Sequence, residues 1–193
     1  MNWQIIWNPF IKFSEKQLLL IGLASMLIGS YLATIFGVTY DGVIDVHLNQ
    51  EMSFVHSLKE NTIIVLLITF LLFGLGKIIN PKTRFIDIVN ASLIYRIPFY
   101  VSAVLVSMPT FKKIEEAMLK DAGNFAKIKF ETLDLALLLI MSLLLIILLI
   151  YALALLYHGF KTAANAKQLK HIVFFSIAIL VAEILSKILI PTL

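Results

Sequence analysis

Three charged residues stand inside long apolar runs: Arg96, Glu183 and Lys187. An unpaired arginine near the middle of a membrane helix costs about 2.5–3.5 kcal/mol on insertion scales, so such a residue faces a bundle interior and finds a partner. Arg96 follows Ile86 by about ten residues and Glu183 follows His171 by about twelve. At about 1.5 Å per residue, both lie roughly 15–18 Å from the same end of their runs. The matched depth predicts an Arg96–Glu183 ion pair, with Asp87 as the other candidate partner. Lys187 lies one helical turn past Glu183, in the favourable acid-then-base order. It is expected to share that carboxylate or to reach the outer interface. The pair has two readings: a staple between helices, since polar contacts are common glue in bundles, or a substrate or proton site.

A second polar group gathers at the opposite ends of the same runs: Lys77, Asp87, Asn90, His158 and Asn165. Lys77 with Asp87 is the natural pairing there. The group reads as a solvated loop cluster or as a site for a headgroup or partner. His158 alone reads as an interfacial histidine rather than a ligand. Asp41, Asp45, His47 and His56 fit no HExxH or paired-ligand spacing, so no metal site is expected. There is no cysteine, P-loop, GxGxxG or GxSxG, and no serine, histidine and acid stand out as a triad. The chain is expected not to be an enzyme and to need no cofactor.

The elements that must position these residues are membrane helices. The chain of 193 residues is 60% hydrophobic and 15% charged, with a mean hydropathy of +0.95. Soluble domains are about 45–50% apolar and about 25% charged. A water-soluble core has no room for this excess, which excludes an ordinary soluble enzyme, a disordered chain and a nucleic-acid-binding domain. About 20 apolar residues cross a hydrocarbon core of about 30 Å. Five runs meet that length, at about 17–38, 61–79, 86–107, 134–158 and 171–190. Lys77 must snorkel for the second, and Arg96 and Pro98 weaken the third. The first is too long for the apolar region of a signal peptide.

Lysine and arginine in short loops set orientation. Lys12 and Lys16, then Lys77, Lys82 and Arg84, then Lys161, Lys167 and Lys170 fall on one side, which is expected to be cytoplasmic. The N-terminus is then inside and the C-terminus outside. Met1 to Phe13, with Trp3, Ile6, Trp7 and Phe10 on roughly one side, is expected on the membrane surface. Val43 to Asn49 alternates as an extended stretch. Thr110 to Ala122 reads as an amphipathic helix on the outer face, stopped by Gly123. In the first span Ser25, Gly29, Ala33 and Gly37 recur every four residues, with Gly22 just before, and small residues at that period admit a neighbouring backbone. Packing within the bundle is the default, with a dimer as the alternative. The expected fold is therefore all-α: one polytopic domain over 1–193, five transmembrane helices with short interfacial helices.

Asn8-Pro9-Phe10 precedes the first span, Gly76-Lys77 closes the second, and Ala91-Ser92-Leu93-Ile94-Tyr95-Arg96-Ile97-Pro98 runs through the third. With Asn165-Ala166-Lys167 before the fifth, this layout resembles the Yip family of Ypt/Rab-interacting membrane proteins, in particular its smaller bacterial members. The resemblance covers most of the chain. It implies a non-enzymatic multi-pass protein of a bacterial cytoplasmic membrane, concerned with membrane organisation or trafficking. The implied partners are the lipid bilayer and other membrane proteins or further copies of the chain, with no nucleic acid. Eukaryotic members resemble one another in a long cytosolic region with an Asp-Leu-Tyr-Gly-Pro-like motif. That motif is missing here, so Rab binding is not carried over. The alternative function is a transporter or channel for a small solute, proton or lipid, with Arg96, Glu183 and Lys187 along its path and Asp87 as a further candidate.

Overall fold

A computed structural model describes residues 3–120 and 130–192. Eight α-helices follow one another among these residues: α1 (Trp3–Trp7), α2 (Glu15–Phe36), α3 (Phe54–Ile79), α4 (Phe85–Ile94), α5 (Ile97–Val106), α6 (Pro109–Lys120), α7 (Thr132–Ala164) and α8 (Leu169–Leu189). Counting α4 and α5 as one segment, five are long and apolar enough to cross a membrane. The expected stop of α6 at Gly123 lies outside the described residues.

Local chemistry sets the helix ends. Ser14 caps α2 in a reciprocal pair with Gln17, and Gly37 closes it at φ 61°, a left-handed position that glycine tolerates without strain. Ser53 accepts the His56 amide and starts α3 seven residues before the expected 61. That early start carries Glu60 and Asn61 into the bundle. The third span is broken. Pro98 has no amide to donate, α4 ends at Ile94, and the chain turns through Tyr95 and Arg96 before α5 begins. Both the Phe99 and Tyr100 amides return to the Arg96 carbonyl, at 3.0 and 3.2 Å. The longest helix, α7, runs past the expected 158 to Ala164, where Asn165 adopts φ 51°.

The broken α4–α5 segment is the centre of the bundle: 72% of an apolar 18-residue stretch of it is buried, against 11% of the corresponding stretch of α7. Helices α2, α3 and α7 pack around it, and α8 packs on α3. The small-residue stripe of α2 faces this centre. A Cβ on Gly22 would fall 2.5 Å from Leu93 Cβ, and one on Gly29 only 2.2 Å from Tyr100 Cδ1. Ala33 is buried, whereas Ser25 is half-buried and bonds the Gly22 carbonyl of its own helix. The stripe therefore serves internal packing. Segment 3–13 does not lie detached: Tyr151 Oη of α7 donates to the Ile6 carbonyl at 2.9 Å, and Trp7 meets the Tyr151 ring edge-on. Only two residues of the expected 43–49 extended stretch form a strand: His47–Leu48 pairs antiparallel with Val38–Thr39.

Candidate functional site

The connection from α2 to α3 does not stay at the surface. It folds into the end of the bundle, and Val38, Tyr40 and Val43 are all fully buried. Irregular backbone in such a place needs internal partners for its amides and carbonyls, and besides the bonds the loop makes to itself these come from α3, α8 and the α4–α5 break.

Arg96 supplies the positive partner. Its position at the break between α4 and α5 lets the guanidinium leave the helix axis, and the residue is 0% exposed. One terminal nitrogen donates to the carbonyls of Gly42 and Val43, at 3.3 and 3.4 Å, and the other to Asn61 Oδ1 at 3.2 Å. Four rings enclose it, with the Phe99 centroid 4.8 Å and the Tyr40 centroid 5.3 Å from the guanidinium carbon, and Tyr95 and Tyr100 completing the enclosure. Aromatic faces attract a desolvated cation. Asn61 is saturated: Oδ1 also accepts from Tyr100 Oη, and Nδ2 donates to Ser30 Oγ and the Ser57 carbonyl.

The expected Arg96–Glu183 ion pair is not formed, and neither is one with Asp87. Among the described residues, no carboxylate oxygen lies within 4.0 Å of Arg96. The matched depth was real, but the two side chains grip opposite poles of the same peptide segment. Arg96 takes the carbonyls of Gly42 and Val43, and Glu183 Oε2 accepts the Ile44 amide at 3.1 Å. A Cβ on Gly42 would lie 2.8 Å from Glu183 Oε1, so glycine is what lets the carboxylate approach.

Lys187 does share the Glu183 carboxylate, loosely at 3.9 Å, but its shorter contacts are to Asp45 at 2.7 Å and Asp41 at 3.1 Å. Glu60, 1% exposed, holds the start of the loop through Thr39 Oγ1 and the Tyr40 amide. On the rim, His47 Nδ1 bonds Asp41 at 2.7 Å. That bond raises the His47 pKa above its ordinary value, against the opposing pull of burial. Burial would raise the Asp41 pKa, but the His47 and Lys187 bonds outweigh it and hold the carboxyl below its ordinary range. Asp41, Asp45 and His47 bring potential ligand atoms within 4.8 Å of one another, yet the Lys187 ammonium already sits on the oxygens of both aspartates.

At the other end of the bundle the second expected group is divided. Asp87 and Asn90 line one cavity, of which Lys77, His158 and Asn165 form no part. Lys77 does not pair with Asp87. Its ammonium bonds the Pro81 carbonyl at 2.8 Å and lies over the Phe73 ring, staying within its own turn. Arg84 takes Asp87 instead, through two nitrogens, and bridges to Glu15 at 2.7 Å. His158 is half-buried beside the Tyr157 ring, and Asn165 is the left-handed stop of α7.

Sequence reasoning gave no site role to Glu60 and Asn61, which looked like the margin of an apolar run, to Tyr40 and Tyr100, which carried no pattern beyond hydrophobicity, or to Tyr95, which entered only through the family resemblance. It also counted Arg84 only as a topology charge and gave Glu15 no role. The early Ser53 cap was the available signal for the first pair.

Compared with protein-family models, curated proteins and solved structures, the chain matches none. The fold itself is all-α, with five helices able to cross a membrane and a polar loop folded into one end.

Proposed function

We propose that this chain is a non-enzymatic integral membrane protein of Yip type, a compact scaffold that organises its membrane or holds partner membrane proteins. What supports the reading is the use made of Arg96: its charge is spent on the chain's own loop carbonyls and enclosed by aromatic rings. A transport path would need that guanidinium, Glu183 and Lys187 wetted and free to meet a solute. Here all three hold the segment from Asp41 to Asp45 in place. The N-terminus and the ends carrying Arg84 and Lys161 are taken as cytoplasmic, in a bacterial cytoplasmic membrane.

The test is reconstitution of the purified chain into sealed vesicles carrying a proton-sensitive dye inside and an imposed potential. No flux of protons or alkali cations above that of protein-free vesicles is expected. A flux that Arg96→Ala abolishes, in protein that still inserts, would replace the scaffold by the transporter.

A further inference from the structure

The cavity at the end opposite the folded-in loop has a composition that the scaffold reading leaves unused. It holds about 230 Å³. Phe10 and Phe13 supply an apolar side, and Glu15, Arg84, Asp87 and Asn90 a polar one. It lies where α2 and α4 begin and α7 ends, among the residues that flank the membrane-crossing segments.

The hydrogen-bond inventory of the polar side is lopsided. Arg84 spends Nε and a terminal nitrogen on both oxygens of Asp87, and that same nitrogen also reaches Glu15 Oε2. Two carboxylates against one guanidinium leave an excess of one negative charge. Among the described residues, Glu15 Oε1 accepts no bond. Asn90 is 2% exposed, and its Nδ2 donates to the Glu15 main-chain carbonyl at 3.2 Å. A carbonyl can only accept, so this bond fixes which way the amide points. Its Oδ1 is left buried without a partner, a state that carries the full desolvation penalty of an unmade hydrogen bond. The site therefore holds two acceptors without a donor, Glu15 Oε1 and the buried Asn90 Oδ1, and one excess negative charge, while the remaining terminal nitrogen of the exposed Arg84 makes no bond among the described residues.

We infer that this cavity binds the primary ammonium group of a lipid headgroup, as carried by phosphatidylethanolamine. A primary ammonium brings three N–H donors and one positive charge, which answers the surplus of both acceptors and negative charge. A quaternary ammonium has no N–H to give to Asn90 or Glu15. A phosphate alone would meet two carboxylates. The apolar side formed by Phe10 and Phe13 suits the part of a lipid that joins headgroup to chains. The inference needs the bundle to cross a bilayer but not the scaffold reading, and flux measurements leave it untouched.

The full chain in detergent is titrated with short-chain phosphatidylethanolamine, phosphatidylcholine and phosphatidylglycerol, and separately with free ethanolamine, with binding followed by native mass spectrometry. Phosphatidylethanolamine is expected to bind at least about tenfold more tightly than phosphatidylcholine. Glu15→Gln, at an exposed position, should weaken it by about tenfold, the worth of one charge-assisted hydrogen bond. Arg84→Gln should leave binding intact or tighten it, because it removes the competing cation. Equal binding of phosphatidylcholine, or tighter binding of phosphatidylglycerol that Arg84→Gln abolishes, would overturn the ammonium assignment. Free ethanolamine binding as tightly as the lipid would overturn the lipid as its source. If Arg84→Gln does not fold, Glu15→Gln and the lipid series decide alone.

Discussion

The two ends of this bundle carry similar residues and use them differently. At one end Arg96, Glu60, Glu183 and Lys187 are held by a loop that folds between the helices, and of the guanidinium nitrogens Arg96 Nε alone stays without a hydrogen-bond partner among the described residues. At the other, Arg84, Glu15, Asp87 and Asn90 surround a cavity, and two acceptors find no donor among the described residues. The difference lies in loop length. The α2–α3 connection, residues 37–53, is long enough to turn back into the bundle, while the α3–α4 connection, 80–84, is a tight turn that spends its polar groups on itself, with Thr83 Oγ1 bonding the Gly76 carbonyl at 3.0 Å. A buried charge with hydrogen-bonding partners supports the fold. A polar pocket without them is where something from outside can bind.

The sharpest way to break this comparison is to empty the filled end. Arg96→Ala leaves the Gly42 and Val43 carbonyls without the guanidinium, and a loss of about 2–5 kcal/mol is expected from unsatisfied buried groups. Thermal unfolding in detergent reads it. Adding Glu183→Ala should not restore stability, because the two side chains hold the same loop and do not neutralise each other. A double variant more stable than Arg96→Ala alone would reinstate a charge pair.

Gly29→Ala should cost about 1–3 kcal/mol through overpacking against Tyr100, whose hydroxyl also serves Asn61. Gly74→Ala meets nothing within 4 Å and should be neutral or gain up to about 1 kcal/mol from helix propensity. Equal effects at the two glycines would argue against the internal role of the α2 stripe.

Lys187→Met releases Asp41 and Asp45 at a partly exposed site. A loss of about 1 kcal/mol or less is expected, with faster hydrogen exchange at the Ile44 amide than in the parent. An unchanged Ile44 amide would mean that Glu183 holds the loop unaided.

The smallest effect is in pH. The raised His47 pKa means its contribution to the hairpin is fully present below about pH 6.5 and is lost as pH rises through the folded value. The lowered Asp41 pKa means its contribution is present above about pH 3.8 and is lost as pH falls through the folded value. Exchange at the 38–48 hairpin should therefore speed up, beyond the intrinsic base catalysis, as pH rises through the folded-state His47 value, and His47→Gln should remove that excess.

Five membrane-length helices and the inward-facing glycines of α2 were legible in the order of residues, because a helix is local and its apolar length and small-residue period can be counted; the third was read as one span weakened by Arg96 and Pro98, not as the two helices α4 and α5. The burial of Arg96 also followed, since a lone charge amid apolar residues has few places to go. Its partner did not follow. Depth along two helices says nothing of what lies between them, and there the peptide of residues 42–44 intervenes, bonded by Arg96 on its carbonyls and by Glu183 on its amide. Main-chain donors and acceptors are the same at every residue, so composition cannot reveal which loop will use them. Only packing in three dimensions chose that loop, and with it left Asn90 Oδ1 without a partner at the far end.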